Sequence, residues 1–510
     1  MKINQLKWGS FLSYLQMGLS VIINIVYTPV MTSLLGQSEY GLYNTVASTI
    51  AMLSMLSLGF GSSYIKYFAK YRAENDKESI YKLNGLFLII FGIIGAVALV
   101  CGVFLSFNLE IVFDSGLTTS EYEIAKVLML LLTVNLAVSF PATVFSNIII
   151  ANEKFVFSKV VNMIRTVCSP IITMPLLLLG YRSIAMVTVT LVLYLIADAV
   201  NIYYVFVKLK NKFIFKGFEK GIFGNLFVYT AFIAINIIVD QVNWNVGKLM
   251  LGRFKGTSAV AIYSVGYTLH NFYQLFSTAI SGVFAPRIHL AVNEASGDEG
   301  RLRHTFTNMF IKVGRIQFLI LALVSSGVVF FGQHFIVDLW VGSEYADSYY
   351  VAMWLMLPAT IPLIQNIGIE MQRALNLHKF RSLVYFIMAG MNLVITYFTC
   401  RMYGAVGATI GTAISMIVAN GIIMNIYYHK KCSIDVIAFW KSILRMAVGL
   451  IPPIIVGVLV NCLLNINSVL KLLLFIILYA VVYFLSMWFI SMNDFEKGLL
   501  IKPIKKILRK

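Results

Sequence analysis

Fourteen stretches of about twenty apolar residues run through this 510-residue chain, with only short polar segments between them. A helix rises about 1.5 Å per residue, so roughly twenty apolar residues cross a hydrocarbon core of about 30 Å. The chain is 59% hydrophobic and only 12% charged, with a mean hydropathy of +0.84. A water-soluble fold of this length has no means of hiding so much apolar surface. The spans read as 8–31, 41–65, 83–106, 124–150, 160–179, 184–207, 225–251, 259–285, 307–331, 350–373, 382–400, 406–428, 446–463 and 469–491. Backbone groups in lipid need internal partners, which leaves helices or a closed barrel. The runs are too long and too continuously apolar for barrel strands, so the predicted class is an all-α integral membrane protein.

Lys and Arg placement orients the spans. With a cytoplasmic N-terminus, the inner segments hold 29 of the 40 Lys and Arg. The outer segments hold Arg182, Arg253, Lys255 and Arg401. Both termini are therefore expected in the cytoplasm, as fourteen spans require. The net charge of +18 then reflects basic inner loops facing anionic headgroups, not a nucleic-acid partner. The tail 497–510 (Lys502, Lys505, Lys506, Arg509 and Lys510 among Ile and Leu) is expected to lie on the inner surface.

The first apolar run has no small-residue cleavage pattern behind it and reads as a membrane anchor, not a signal peptide. Cys101, Cys168, Cys400, Cys432 and Cys462 form no Cys-x-x-Cys pair, so packing roles are expected and metal roles are not. No Gly-x-x-x-x-Gly-Lys-Ser/Thr and no His-Glu-x-x-His occurs. The outer loops 107–123 and 332–349 are too short for a catalytic domain. An enzyme is not expected, and neither is a cofactor.

The chain repeats itself. Gly36-Gln-Ser38-Glu-Tyr-Gly41-Leu-Tyr43 follows span one, and Gly256-Thr-Ser258-Ala-Val-Ala261-Ile-Tyr263 follows span seven, an offset of 220 residues. Lys154-Phe155 matches Lys379-Phe380, and Gly180-Tyr181 loosely matches Tyr403-Gly404. Six helices is an even number, so both halves start on the same side of the membrane. The expected arrangement is two parallel-related six-helix bundles, 1–207 and 225–428, joined by a basic cytoplasmic linker, 208–224. Two further helices and the tail, 429–510, fall outside the repeat. Transporters that rock two bundles about a central site share this plan.

Polar residues recur within the spans at helical spacing. In span eight, Tyr263, Tyr267, His270, Gln274, Ser277 and Ser281 share one face. Span one carries Ser13, Gln16, Ser20, Asn24 and Tyr27. In span seven, Asn236, Asp240, Asn243 and Gly247 share a face, with Gln241, Asn245 and Lys248 beside it. Such stripes arise either as helix–helix glue, at about 0.6 kcal/mol per pair, or as the wall of a wet cavity. Six positions in register in span eight favour a cavity. Ionisable residues inside spans are functional candidates because burying them in lipid costs about 3 kcal/mol or more. Asp198, Asp240 and His270 are deep; Arg165 lies about five residues into span five. Lys126, Lys312, Arg315 and Lys471 sit near span ends and can snorkel, and Glu370 and Arg373 are spaced as a local pair.

Gly-x-x-x-Tyr-Gly-Leu-Tyr (36–43), Lys248-Leu-Met-Leu-Gly252, Ala261-Ile-Tyr-Ser-Val265 and Ala151-Asn-Glu-Lys-Phe155, with the fourteen spans, resemble a known family. It is the polysaccharide flippases of the multidrug/oligosaccharidyl-lipid/polysaccharide exporter superfamily. The resemblance implies a bacterial plasma-membrane protein that moves an undecaprenyl-diphosphate-linked oligosaccharide to the outer leaflet by alternating access. It further implies membrane lipids, a polysaccharide polymerase and a chain-length regulator as partners. A hydrated cavity, its cytoplasmic side lined by spans one, two, seven and eight, would shelter the sugar, with Arg165, Lys248 and Arg315 near the diphosphate. Asn24, Asn236, Asp240, Asn243, Tyr267, His270 and Gln274 would line it, and Asp240 or Asp198 would carry a coupling cation. The lipid II flippase branch is similar but carries arginines in its first two spans, which this chain lacks. Multidrug antiporters have twelve spans and an acid in the first, so drug export is the second reading. A transport-inactive scaffold of a glycan-assembly complex is the third.

Overall fold

The computed structural model describes residues 4–113, 117–218, 222–295, 298–463, 468–499 and 501. The described residues are mostly helical, with short 3-10 and π turns at helix ends, loops between helices and no strand. Nine helices among them are long and apolar enough to cross a membrane. A tenth counts if α11 (Ser348–Ile364) and α12 (Ile367–Ala374), bent by 42° at Gln365-Asn366, form one span. Many large apolar side chains are exposed, among them Ile93, Val100, Phe104, Leu470, Leu474, Ile477 and Val481. An outer surface of this kind is solvated by acyl chains, so the chain is a multi-pass membrane protein.

The chain divides into two compact units. The first comprises residues 1–264 and 396–408. It contains α1 (Gln5–Leu53), α2 (Phe60–Ala73), α3 (Lys77–Phe107), α4 (Thr119–Ala151), α5 (Phe155–Leu178), α6 (Arg182–Tyr203), α7 (Ile222–Gln241) and α8 (Gly247–Lys255). Its core joins Tyr64, Phe87, Phe91, Phe145 and Ile148. A second patch holds Leu42, Val46, Leu128 and Met129. α3 and α4 approach closely because Gly95 faces α4: a Cβ there would lie 2.5 Å from the Ala137 carbonyl oxygen. Without a hydrophobic driving force between helices in lipid, such close backbone contact is a main source of association.

The second unit comprises residues 265–395 and 409–510. It holds most of α9 (Thr257–Ala295), then α10 (Glu299–His334), α11 and α12, the ends of α13 (His378–Met416), and α14 (Met424–Lys431), α15 (Val436–Ala447), α16 (Ile451–Leu463) and α17 (Val469–Ser486). Tyr273, Phe306, Phe310, Met371, Tyr428 and Phe439 form its core. The rings of Phe310 and Phe439 meet edge to face at 4.6 Å.

Local sequence explains where helices start and break. Asp76 caps α3 by accepting from the Ser79 amide, and Asp298 caps α10 by accepting from the Arg301 amide. Thr118 and Glu121 form a reciprocal capping box at α4, which satisfies two amides that the helix itself cannot. α1 is interrupted at Gly36 (φ 74°, ψ 169°) and α13 at Gly404 (φ 58°, ψ −130°). Gly256, between α8 and α9, repeats the Gly36 geometry with φ 81° and ψ 179°. Left-handed residues also end α4 at Glu153 and α12 at Asn376.

The segment expected as a linker is hydrogen-bonded to α3 where it is described. The Ile214 amide donates to the Tyr81 carbonyl at 3.0 Å. Asn84 donates to the Lys212 carbonyl at 3.0 Å while accepting from the Tyr64 hydroxyl at 2.6 Å. Lys220 and the tail beyond residue 501 lie outside the described residues.

Candidate functional site

α5 carries a polar stripe at Ser158, Asn162, Thr166, Ser169 and Thr173, at intervals of three or four residues that keep one face. Several of these side chains donate back to their own helix: Asn162 to Ser158 at 3.0 Å, Thr166 to Asn162 at 2.9 Å and Thr173 to Ser169 at 2.7 Å. Donors are thereby satisfied within the helix, which is what lets such residues sit at membrane depth. Arg165 lies beside this stripe. Its guanidinium is 3.9 Å from the centre of the Tyr194 ring on α6. Asp198, one turn further along α6, lies within electrostatic reach of Arg165. Tyr27, on α1, lies close to Thr173 of α5 and near Tyr43, and Tyr43 in turn lies near Tyr194.

The state of Arg165 is the decisive feature. Among the described residues it makes no ion pair within 4 Å and no hydrogen bond. A cation–π contact supplies about 0.5–2 kcal/mol, whereas a cation at membrane depth costs about 3 kcal/mol or more. The guanidinium therefore keeps its N–H donors available, held in position by an aromatic ring, and any anion reaching it gains. Five donors in a planar fork suit a phosphate or carboxylate.

Arg315, expected beside Arg165 in function, has a different environment. It is buried on α10, and its Nε and Nη2 reach both oxygens of Glu496 at 2.5 and 2.9 Å. Its Nη1 donates to Ser442 and its Nη2 to the Ser491 carbonyl. A guanidinium so fully bonded has nothing left for a diphosphate, and the expectation of substrate contact is corrected to an internal brace of the second unit. The stripe of span eight needs a similar correction at its inner end. Ser277 donates to the Leu363 carbonyl at 2.7 Å and accepts from Gln317 at 3.1 Å. Ser281 accepts from Asn366 at 3.1 Å. Both are helix–helix glue within the second unit. On the same helix, Tyr267 and the buried His270 stack with ring centres 6.0 Å apart, and Gln274 is half-buried.

The remaining candidates, apart from the Glu370–Arg373 pair of the second unit, lie in the first unit. Asp240 is exposed, Asn236 and Asn243 are half-buried, and Lys248 is buried; each has an interaction partner. A π turn over Val242–Val246 lies between α7 and α8, with Gln241 donating to Ser54 at 3.2 Å and Asn245 to Gln241 at 2.6 Å. Asn24 is exposed and donates to the Ser20 carbonyl. Glu370 and Arg373 form the expected local pair at 2.6 Å. Among the described residues, no three His, Cys, Asp or Glu side chains converge as a metal set.

Three features escaped sequence reasoning. The α5 stripe was detectable by its period. The pairing of Arg165 with Tyr194 was not, because nothing in sequence links those two helices' rotations. Glu39 is likewise buried, held by Arg182 at 2.8 Å and by the amide and hydroxyl of Ser183.

A family model described as "Polysaccharide biosynthesis protein" matches residues 7–290. No curated protein matches the sequence. Among solved structures, the chain is similar to "Lipid II flippase MurJ, inward closed conformation", with a TM-score of 0.72 and 14% identity over 97% of this chain and 99% of that one. An inward-facing multidrug resistance MATE family transporter of the MOP superfamily gives a TM-score of 0.65 at 15% identity, covering 85% of this chain and 99% of that one. The MATE multidrug transporter DinF-BH gives 0.60 at 15% identity, covering 85% and 97%. At such identities the likeness establishes the fold.

Proposed function

The chain belongs to the polysaccharide biosynthesis protein family, and from that premise we propose that it flips a lipid-linked oligosaccharide across a bacterial plasma membrane by alternating access. The substrate head would be an undecaprenyl diphosphate bearing the glycan. The observation that carries this reading is Arg165, a cation within a span whose donors are open and whose position is held by Tyr194. A diphosphate crossing lipid needs such a group, since its charges cannot shed water without a replacement. An apolar groove of about 330 Å³ in the second unit, walled by Leu269, Val324, Phe331 and Ile476, suits a polyprenyl tail.

The proposed topology is fourteen spans with both termini cytoplasmic. Its support is the 29 Lys and Arg on inner segments and the helix breaks at Gly36 and Gly404, which divide the stretches Trp8–Ala73 and His378–Lys431. The six-plus-six repeat gains support from backbone landmarks in one order: Gly36 with Gly256, Asp76 with Asp298, Glu153 with Asn376 and Gly180 with Gly404. Their offsets rise only from 220 to 224 residues.

The test is Arg165→Gln and Arg165→Lys in cells that depend on the protein for surface polysaccharide. Export is expected to fall about tenfold or more in the glutamine variant, with partial rescue by lysine, which keeps charge but loses the fork and the stacking. Wild-type export from Arg165→Gln would sink the reading. Cation-coupled drug export is the second reading, favoured by the intramembrane Asp198. It predicts that Asp198→Asn sensitises cells to cationic dyes and leaves the polysaccharide intact.

A further inference from the structure

One chamber of the first unit remains without a role. A cavity of about 380 Å³ opens where the second span breaks, and its lining includes Ser54, Ser57, Ser139 and Thr143, with Phe91 and Phe140 as apolar wall. The backbone there leaves the α-helix: a 3-10 turn covers Ser54–Ser57, Leu58 is left-handed at φ 45°, and Gly59 follows at φ 76°. A leucine in that region is strained and persists only where its surroundings impose it. Irregular backbone at membrane depth is tolerated only inside protein or against a cavity.

The chemistry of the lining narrows the ligand. The break leaves carbonyls at the end of one helix and the first amides of α2 without α-helical partners. Ser139 donates to the Leu136 carbonyl and Thr143 to the Ser139 carbonyl, both at 2.8 Å, so their oxygens remain as acceptors. Ser54 accepts from Gln241, which leaves its own proton to donate. Ser57 makes no hydrogen bond among the described residues. The lining holds donors and acceptors in mixture and no charged side chain. An anion would want donors alone, and a bare cation a shell of oxygens with negative charge. Hydroxyls that both give and accept, joined to apolar C–H faces, are the surface of a pyranose. The volume lies at the small end of ligand pockets, enough for one or two rings.

We propose that the broken second span is a sugar subsite that reads one ring of the glycan through Ser57, Ser139 and Thr143. This rests on the flippase reading and adds where the sugar is recognised. The experiment uses the full-length protein in proteoliposomes with two probes: undecaprenyl diphosphate without sugar, and lipid-linked oligosaccharide extracted from cells that make the protein. For Ser139→Ala/Thr143→Val, KM for the oligosaccharide is expected to rise about tenfold while transport of the sugar-free lipid is unchanged. Ser57→Ala, on the broken span itself, is expected to act the same way more weakly and serves if the double variant does not fold. Equal losses with both probes would make the break a structural hinge, and no change with either would leave the chamber without a ligand; both overturn the subsite. If Arg165→Gln impairs both probes while these variants impair neither, the flippase reading stands and the subsite alone falls. If the wild-type protein moves neither probe, both proposals fall together.

Discussion

Arg165 and Arg315 are the same residue type, both inside apolar helices, and their roles diverge because of what faces them. Arg165 meets a ring and a distant carboxylate; Arg315 meets Glu496, Ser442 and Ser491. Removing one partner of a buried pair strands the other, so Glu496→Gln is expected to destabilise the protein by about 3–5 kcal/mol, read as a lower melting temperature in detergent. The double change Arg315→Met/Glu496→Leu is expected to recover most of that loss and to leave export near wild type. A double variant with stability restored and export abolished would return Arg315 to the substrate path. In the sequence both arginines are candidates as cations near an expected diphosphate, Arg165 about five residues into its span and Arg315 near a span end. Which one is neutralised depends on helix rotation and on a partner 181 residues away.

At the scale of elements, glycine positions and caps carry the local code. Gly36 and Gly256 adopt positive φ with ψ near 170–180°, a region essentially closed to residues with a Cβ. Gly36→Ala and Gly256→Ala are therefore each expected to cost about 1–3 kcal/mol in chemical or thermal unfolding. Glu153→Gly, at an ordinary left-handed position, is expected to be neutral or mildly stabilising. The Asp76 carboxyl is held below its usual value by hydrogen bonds from the Ser79 side chain and amide. A depressed carboxylate contributes stability above its unfolded pKa and loses it as pH falls through its folded pKa. Asp76→Ala should then lower the melting temperature at neutral pH, and the gap should close on acidification below the carboxylate range. The capping role and the glycine match between halves were readable from short-range sequence, since both are set by one to four residues of backbone. The break at Leu58 was not, because no proline marks it and a leucine rarely turns left-handed.

For the whole molecule, the proposed topology makes a measurable statement about sides. In a cysteine-free background, Lys212→Cys is expected to react with an impermeant thiol reagent only from the cytoplasmic face, and Glu344→Cys only from the outer face. Labelling of both from one side would overturn the span count or the orientation. The asymmetry that predicts this is a whole-chain property: single basic residues mean little, whereas 29 on the proposed inner segments against four on the outer ones supports the proposed orientation.

Hydropathy alone determined that the chain is a bundle of membrane helices, because lipid imposes a length and a backbone rule on every span independently. Tertiary structure decided which intramembrane charges are open. Arg165 kept its donors, Arg315 lost them to a brace, and Ser277 and Ser281 became seams. That choice is set by how neighbouring helices rotate and pack, a relation between distant residues that no local pattern encodes.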